Sequence, residues 1–175
     1  MSCVYKRDAR WVGRFYNPDS MSVSIQSLTQ ASAQLLRRAH QLATAIALEQ
    51  LAEFNLTPIQ FGMLIVLNER PGIDAKTLCQ VLSLDRASLT GVLDRMEASG
   101  LVTREMDPYD RRARVLKLTF KGQEVFKQSS RQGVGTQLAI LEALTPAEQA
   151  RFMKLLSKLV DAQTQRWSKR NTQEK

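Results

Sequence analysis

The chain is poor in the residues from which most active sites are built. Its 175 residues include one histidine, His40, and two cysteines, Cys3 and Cys79. Neither cysteine belongs to a CxxC pair, so neither a disulfide scaffold nor a zinc site is indicated. Catalysis generally needs a nucleophile with a base, a metal cluster or paired carboxylates in a cleft. One histidine, two isolated cysteines and scattered acids offer little of this, and no glycine-rich phosphate loop is present. The expectation is a non-enzyme with no catalytic residue, no metal and no cofactor. Long hydrophobic runs are also missing. None approaches the roughly 20 residues needed to span a bilayer, and the first 20 residues hold no apolar stretch of a secretory signal. No membrane partner is expected, and a cytoplasmic location is the simplest reading.

What is present is material for a core, together with an excess of basic charge. Hydrophobic residues make up 43% of the chain, enough for a globular core. Lys and Arg number 25 against 17 Asp and Glu, giving a net charge of +8 and suiting a polyanionic partner. The charge is uneven. Asp74 to Gly100 holds three basic and four acidic residues, a net of −1. Leu101 to Lys117 holds five basic and three acidic, a net of +2, and the segment from Pro146 onward holds seven and three, a net of +4.

Periodicity and capping residues divide the chain. Residues 1–21 show no clean pattern and are expected to be a disordered extension, with Met21 a candidate native start and a basic DNA-touching arm the alternative. Ser24 to Glu53 reads as a long helix, with Ile25, Leu28, Leu35, Ala39, Leu42 and Ile46 at helical spacing. Thr57-Pro58-Ile59-Gln60 is a capping box with proline at the first helical position. Phe61, Leu64, Ile65 and Leu67 supply that helix's buried face, and Pro71-Gly72 ends it. Asp74 caps a short third helix with Leu78, Val81 and Leu82 inward. After a turn at Ser83-Leu84, Asp85 caps a fourth helix with Leu89, Val92, Leu93 and Met96 inward, and Gly100 stops it. Thr119 starts a fifth helix to about Leu144, in which Gly133 and Gly135 predict a bend or break. Thr145-Pro146-Ala147-Glu148 opens a sixth, with Phe152, Leu155, Leu156, Leu159 and Val160 on one face and fraying expected from Arg166.

Between the fourth and fifth helices lie two alternating segments, Leu101 to Met106 and Val115 to Thr119, around Asp107-Pro108-Tyr109-Asp110-Arg111-Arg112-Ala113-Arg114. Alternation with a turn-forming centre predicts a β-hairpin with an arginine-rich tip. The outward positions of the fourth helix, from Arg86 to Arg95, are small or polar, which suits a helix that enters a major groove.

This pattern resembles the multiple-antibiotic-resistance regulator (MarR) family of winged-helix regulators over about Ser22 to Gln165. The most specific parts are Leu101-Val102-Thr103-Arg104, then Asp107-Pro108-Tyr109-Asp110-Arg111-Arg112, then Leu116-Lys117-Leu118-Thr119-Phe120-Lys121-Gly122. The resemblance implies a mainly α fold with a small β-hairpin, a winged helix-turn-helix with long dimerisation helices. It places dimerisation helices at 22–56 and 122–168, the DNA-binding lobe at 57–121 and a basic tail at 169–175. It implies a homodimeric regulator of transcription, a repressor, on a palindromic operator in double-stranded DNA. Carried over, Arg86, Ser88, Thr90 and Arg95 become groove-facing residues and Arg111, Arg112 and Arg114 wing contacts, with Asp110 orienting an arginine.

Leu35-Leu36-Arg37-Arg38-Ala39-His40-Gln41 resembles the branch that responds to aromatic acids, implying a small-molecule inducer, an aromatic carboxylate or its thioester. Arg37 or Arg38 would hold the carboxylate and His40 would donate a hydrogen bond. The plainer alternative leaves the arginines solvated and packs His40 at a dimer interface. Phe61, Met63 and Leu64 are either pocket lining or core. Two rival functions stay open: oxidant sensing through Cys79, and a winged helix used only for protein contact.

Overall fold

The computed structural model describes Thr29, residues 31–107 and residues 114–173, with side-chain burial described as far as Arg166. The chain divides into two units, Met1–Gln41 and Leu42–Lys175. Helix α1 spans Ser32–Leu51 and passes into a 3-10 turn at Ala52–Phe54. In the first unit, Leu35 and Leu36 are exposed, and Arg37 donates to Gln34 Oε1 and Gln41 Oε1.

In the second unit, local capping sets where each element begins. Helix α2, Pro58–Glu69, opens with both halves of the capping box: Gln60 N–H donates to Thr57 Oγ1, and Thr57 N–H donates to Gln60 Oε1. Such a box satisfies two backbone donors that the helix itself leaves open. Strand β1, Ile73–Asp74, is followed by α3, Ala75–Leu82, where Thr77 N–H donates to Asp74 Oδ1 at 2.8 Å. Ser83 turns the chain in the left-handed region (φ 52°), and Asp85 caps α4, Arg86–Ala98. Gly100, at φ 71°, makes the exit that a side chain would strain. Strands β2, Val102–Met106, and β3, Arg114–Leu118, follow. Helix α5 spans Phe120–Leu141 and α6 Pro146–Gln173.

The hairpin belongs to a three-stranded antiparallel sheet in the order β1-β3-β2, so β1 is an addition to the expected pair. Ile73 pairs with Leu116, and Val102 through Met106 pair with Leu118 back to Arg114. One apolar cluster ties α2, α3, α4 and the sheet together. Met63, Leu64 and Leu78 are fully buried, and Leu51, Leu89, Met96, Val102 and Leu116 lie beside them. Burying each such side chain contributes about 1.5–3 kcal/mol.

Three expectations need correction. Val81 is 45% exposed rather than inward. The inner face of α3 is centred on Leu78, Cys79 and Leu82, which leaves Val81 about 100° away at roughly 100° per residue. Helix α5 runs unbroken through Gly133 and Gly135. Gly133 is there for space: a Cβ on it would stand 2.5 Å from Cε1 and Cζ of Phe61. Helix α6 continues to Gln173, past the expected fraying point, and its sequence after Pro146 contains no glycine or proline.

Candidate nucleic-acid interface and cavity

The outward strip of α4 is built by its own inner face. Leu89, Val92, Leu93 and Met96 are buried, which leaves Arg86, Ala87, Ser88, Thr90, Asp94 and Arg95 exposed. Two hydroxyls on that strip are engaged locally. Ser88 N–H donates to Asp85 Oδ1 at 2.9 Å and Ser88 Oγ–H donates to Asp85 Oδ2 at 2.6 Å. Thr90 Oγ1–H donates to the Arg86 carbonyl at 2.9 Å. These donations to Asp85, the Ser88 hydroxyl first and its backbone amide second, hold the carboxyl below its ordinary value. Asp74 is lowered in the same way by Thr77, its backbone amide first and its hydroxyl second.

The four acidic residues between Asp74 and Gly100 all have structural partners. Asp74 and Asp85 are caps. Asp94 and Glu97, three residues apart on α4, are gripped by one side chain from β2: Arg104 Nη2 lies 2.5 Å from Asp94 Oδ1, and Nη1 lies 2.9 Å from Glu97 Oε2. Arg104 therefore joins the sheet to α4. Sequence reasoning missed this clasp, although an i, i+3 acid pair followed by an arginine on the next strand was a visible signal. Across the hairpin, Lys117 pairs with Glu105 at 2.7 Å. Thr119 closes the lobe: its hydroxyl donates to the Gly100 carbonyl at 2.6 Å while accepting from Gly122 N–H. A Cβ on Gly122 would overlap the Leu101 carbonyl.

Arg86 opens α4 and Arg95 lies in its last turn, both exposed and, among the described residues, outside the ion pairs. Arg114 is exposed at the start of β3, opposite Met106. Arg111 and Arg112, with Asp110, lie outside the described residues. Arg37, Arg38 and His40 are exposed on α1 in the first unit. Cys79 is half-buried against the core.

A cavity of about 550 Å³ opens in the second unit. Ala47 and Leu51 of α1, Pro58, Phe61 and Ile65 of α2, and Phe126, Val134 and Ile140 of α5 make its apolar walls. Ser130, Thr136 and Gln137 add polar atoms, and none of the lining residues is charged. Phe61 and Phe126 stand with ring centroids 6.5 Å apart. Of the three residues left between lining and core, Phe61 lines the cavity, whereas Met63 and Leu64 are core. In sequence the glycines of α5 predict a helix break, whereas in the structure Gly133 makes room at the cavity wall. Among the described residues no cluster suits a metal ion, and no helix is long and apolar enough to cross a membrane.

Residues 54–113 match the MarR family. Over 127 residues the chain is 33% identical to the transcriptional regulator HosA of Escherichia coli O111:H-, spanning 73% of this chain and 93% of that protein. The chain belongs to the MarR family. Its fold agrees with solved members. The transcriptional repressor CouR, bound to a 23-mer DNA duplex, superposes with a TM-score of 0.72 at 25% identity, covering 79% of this chain and 98% of that one. Bordetella bronchiseptica BpsR, whose DNA binding is regulated by 6-hydroxynicotinic acid, gives a TM-score of 0.72 at 28% identity, covering 76% and 95%. This MarR-family chain is thus a winged helix-turn-helix protein, mainly α with a small antiparallel sheet.

Proposed function

We propose that this MarR-family transcriptional regulator is a homodimeric repressor that binds a palindromic operator in duplex DNA and is released by a small aromatic inducer. The observation that carries the DNA reading is the outward strip of α4, small and polar between Arg86 and Arg95, with its two helix acids paired to Arg104. Such a strip can enter a major groove about 12 Å wide. CouR, a relative of the same fold, is a repressor bound to duplex DNA. In this reading Arg86, Ser88, Thr90 and Arg95 face the groove, while Arg111, Arg112 and Arg114 approach the backbone or minor groove from the wing. Leu138 on α5 and Leu155, Leu159 and Val160 on α6 are exposed apolar residues, the material of a two-fold interface.

The cavity supports the inducer reading. Its volume of about 550 Å³ lies within the roughly 300–1,000 Å³ of small-molecule sites, and aromatic walls with few polar groups are typical of them. Regulation of BpsR by 6-hydroxynicotinic acid, an aromatic carboxylate, favours that ligand class or its thioester. Arg37, Arg38 and His40 remain candidates for carboxylate recognition. Half-sites lie about 34–36 Å apart per helical turn. A ligand that alters the spacing of two recognition helices weakens binding, provided its affinity for the two states differs.

Gel shifts on genomic fragments test the first part: binding is expected from the wild type and a large loss from the Arg111→Ala/Arg112→Ala pair, with a shallower salt dependence. Undiminished binding by that pair removes the wing assignment. Thermal-shift screening against aromatic acids tests the second, and stabilisation by none of them removes the inducer class.

A further inference from the structure

The polarity of the two α4 hydroxyls is fixed. An ionised carboxylate and a backbone carbonyl have no proton to give. The 2.6 Å contact of Ser88 Oγ with Asp85 Oδ2 and the 2.9 Å contact of Thr90 Oγ1 with the Arg86 carbonyl therefore each use the hydroxyl's own proton. Asp85 is ionised at neutral pH, because the donations from Ser88 hold its carboxyl low. What each exposed oxygen has left to offer is lone pairs. Phosphate oxygens also carry only lone pairs, as do guanine O6, purine N7 and thymine O4. In the major groove the hydrogen-bond donors are the amino groups, N6 of adenine and N4 of cytosine.

Resting on the DNA-binding reading above, we propose that Ser88 and Thr90 are specificity-determining residues that accept hydrogen bonds from major-groove amino groups and do not hold phosphate. At roughly 100° per residue the two stand on opposite flanks of the strip whose middle is Ala87 and Gly91, so they address different base pairs.

The test begins with duplexes selected from a random pool by the wild-type protein. Positions whose preference relaxes in Ser88→Ala or Thr90→Val mark the bases read. Ser88→Ala keeps the backbone cap to Asp85 Oδ1, and Thr90→Val keeps the side-chain shape, so both variants fold. At each marked position the amino group is then removed, with purine for adenine or 2-pyrimidinone for cytosine. The wild type is expected to lose roughly three- to tenfold in affinity, the range of one neutral hydrogen bond, and the matching variant to lose nothing further. Any weakening of the duplex itself is common to both proteins and cancels. Asp85→Asn is expected to shift the preference at the Ser88 position: its amide oxygen can keep the cap while its NH2 donates to Ser88 Oγ, freeing the hydroxyl proton. If 7-deazapurine replaces the amino deletion as the change that distinguishes wild type from variant, the hydroxyl donates and the inference is overturned. Relaxation at no position, with affinity lost equally on every duplex instead, assigns the hydroxyls to phosphate and also overturns it. If the wild type selects no sequence at all, the DNA-binding reading itself fails.

Discussion

Replacing Arg104 with alanine should weaken DNA binding as well as lower stability. The guanidinium bridges Asp94 and Glu97 while its side chain is 31% exposed and theirs are 56% and 41% exposed. Solvent screens such pairs, and each is worth about 0.2–1 kcal/mol, so the clasp contributes about 1 kcal/mol. A domain of this size should then lose about 2–4 °C in Tm. The electrostatic effect at the interface is separate. Two carboxylates are released on the helix proposed to face DNA, and a positive charge leaves with the arginine. At about 10 Å in water, a carboxylate and a phosphate repel by about 0.4 kcal/mol before screening. Both carboxylates are charged before and after the change, so the net difference is the one lost cation, which raises Kd about twofold for each phosphate at that distance at low salt. Fluorescence anisotropy on a bound duplex across a salt series measures this, and the gap should narrow as salt increases. Adding Asp94→Asn and Glu97→Gln to Arg104→Ala should restore affinity without restoring Tm. The account is refuted if Arg104→Ala lowers Tm while affinity is unchanged, or if neutralising both acids leaves the lost affinity lost.

Gly133→Ala should lower stability by no more than about 2 kcal/mol, since the gain in helix propensity of about 1 kcal/mol partly offsets overpacking of about 1–3 kcal/mol. Its Cβ would displace the Phe61 ring at the cavity wall, so thermal stabilisation by any aromatic acid that shifts the wild type should shrink, and an undiminished shift would remove the ligand from this cavity. The caps predict acid sensitivity. Asp74 and Asp85 have folded-state values below their unfolded ones, so their contribution is complete above the ordinary carboxylate range and is lost as pH falls through the lower folded values. Urea midpoints taken from about pH 6 to 3 should fall less steeply in Asp74→Asn/Asp85→Asn, because asparagine caps without titrating; an identical slope would place the acid sensitivity elsewhere.

The elements that could be read from sequence are those fixed by neighbours a few residues apart. Thr57 with Gln60, Asp74 with Thr77 and Asp85 with Ser88 each form a closed local bond, and Gly100 ends α4 because few other residues tolerate its φ. Periodicity found the stripes but not their centres, as Val81 shows. The cavity stayed hidden because its walls come from three helices distant in sequence, and because Gly133 matters through the Phe61 ring it accommodates rather than through its backbone freedom.

Charge shows the same division between composition and geometry. From Asp74 to Gly100, three basic residues face four acidic ones, and the net of −1 leaves the positive charge to the segments that flank it. The described contacts change that inference. Asp74 and Asp85 are turned to backbone amides at helix starts, and Asp94 and Glu97 are turned to Arg104. Each carboxylate still carries its charge, but that charge is partnered within the lobe, while Arg86 and Arg95 stay exposed on α4. Arg104, counted by sequence with the hairpin's positive charge, works as part of the helix that it clasps. A polyanion approaching α4 therefore meets two exposed guanidinium groups around a strip of small residues. In the proposed DNA reading, α4 thus takes part in attraction as well as in base recognition, and Arg104 links the two roles.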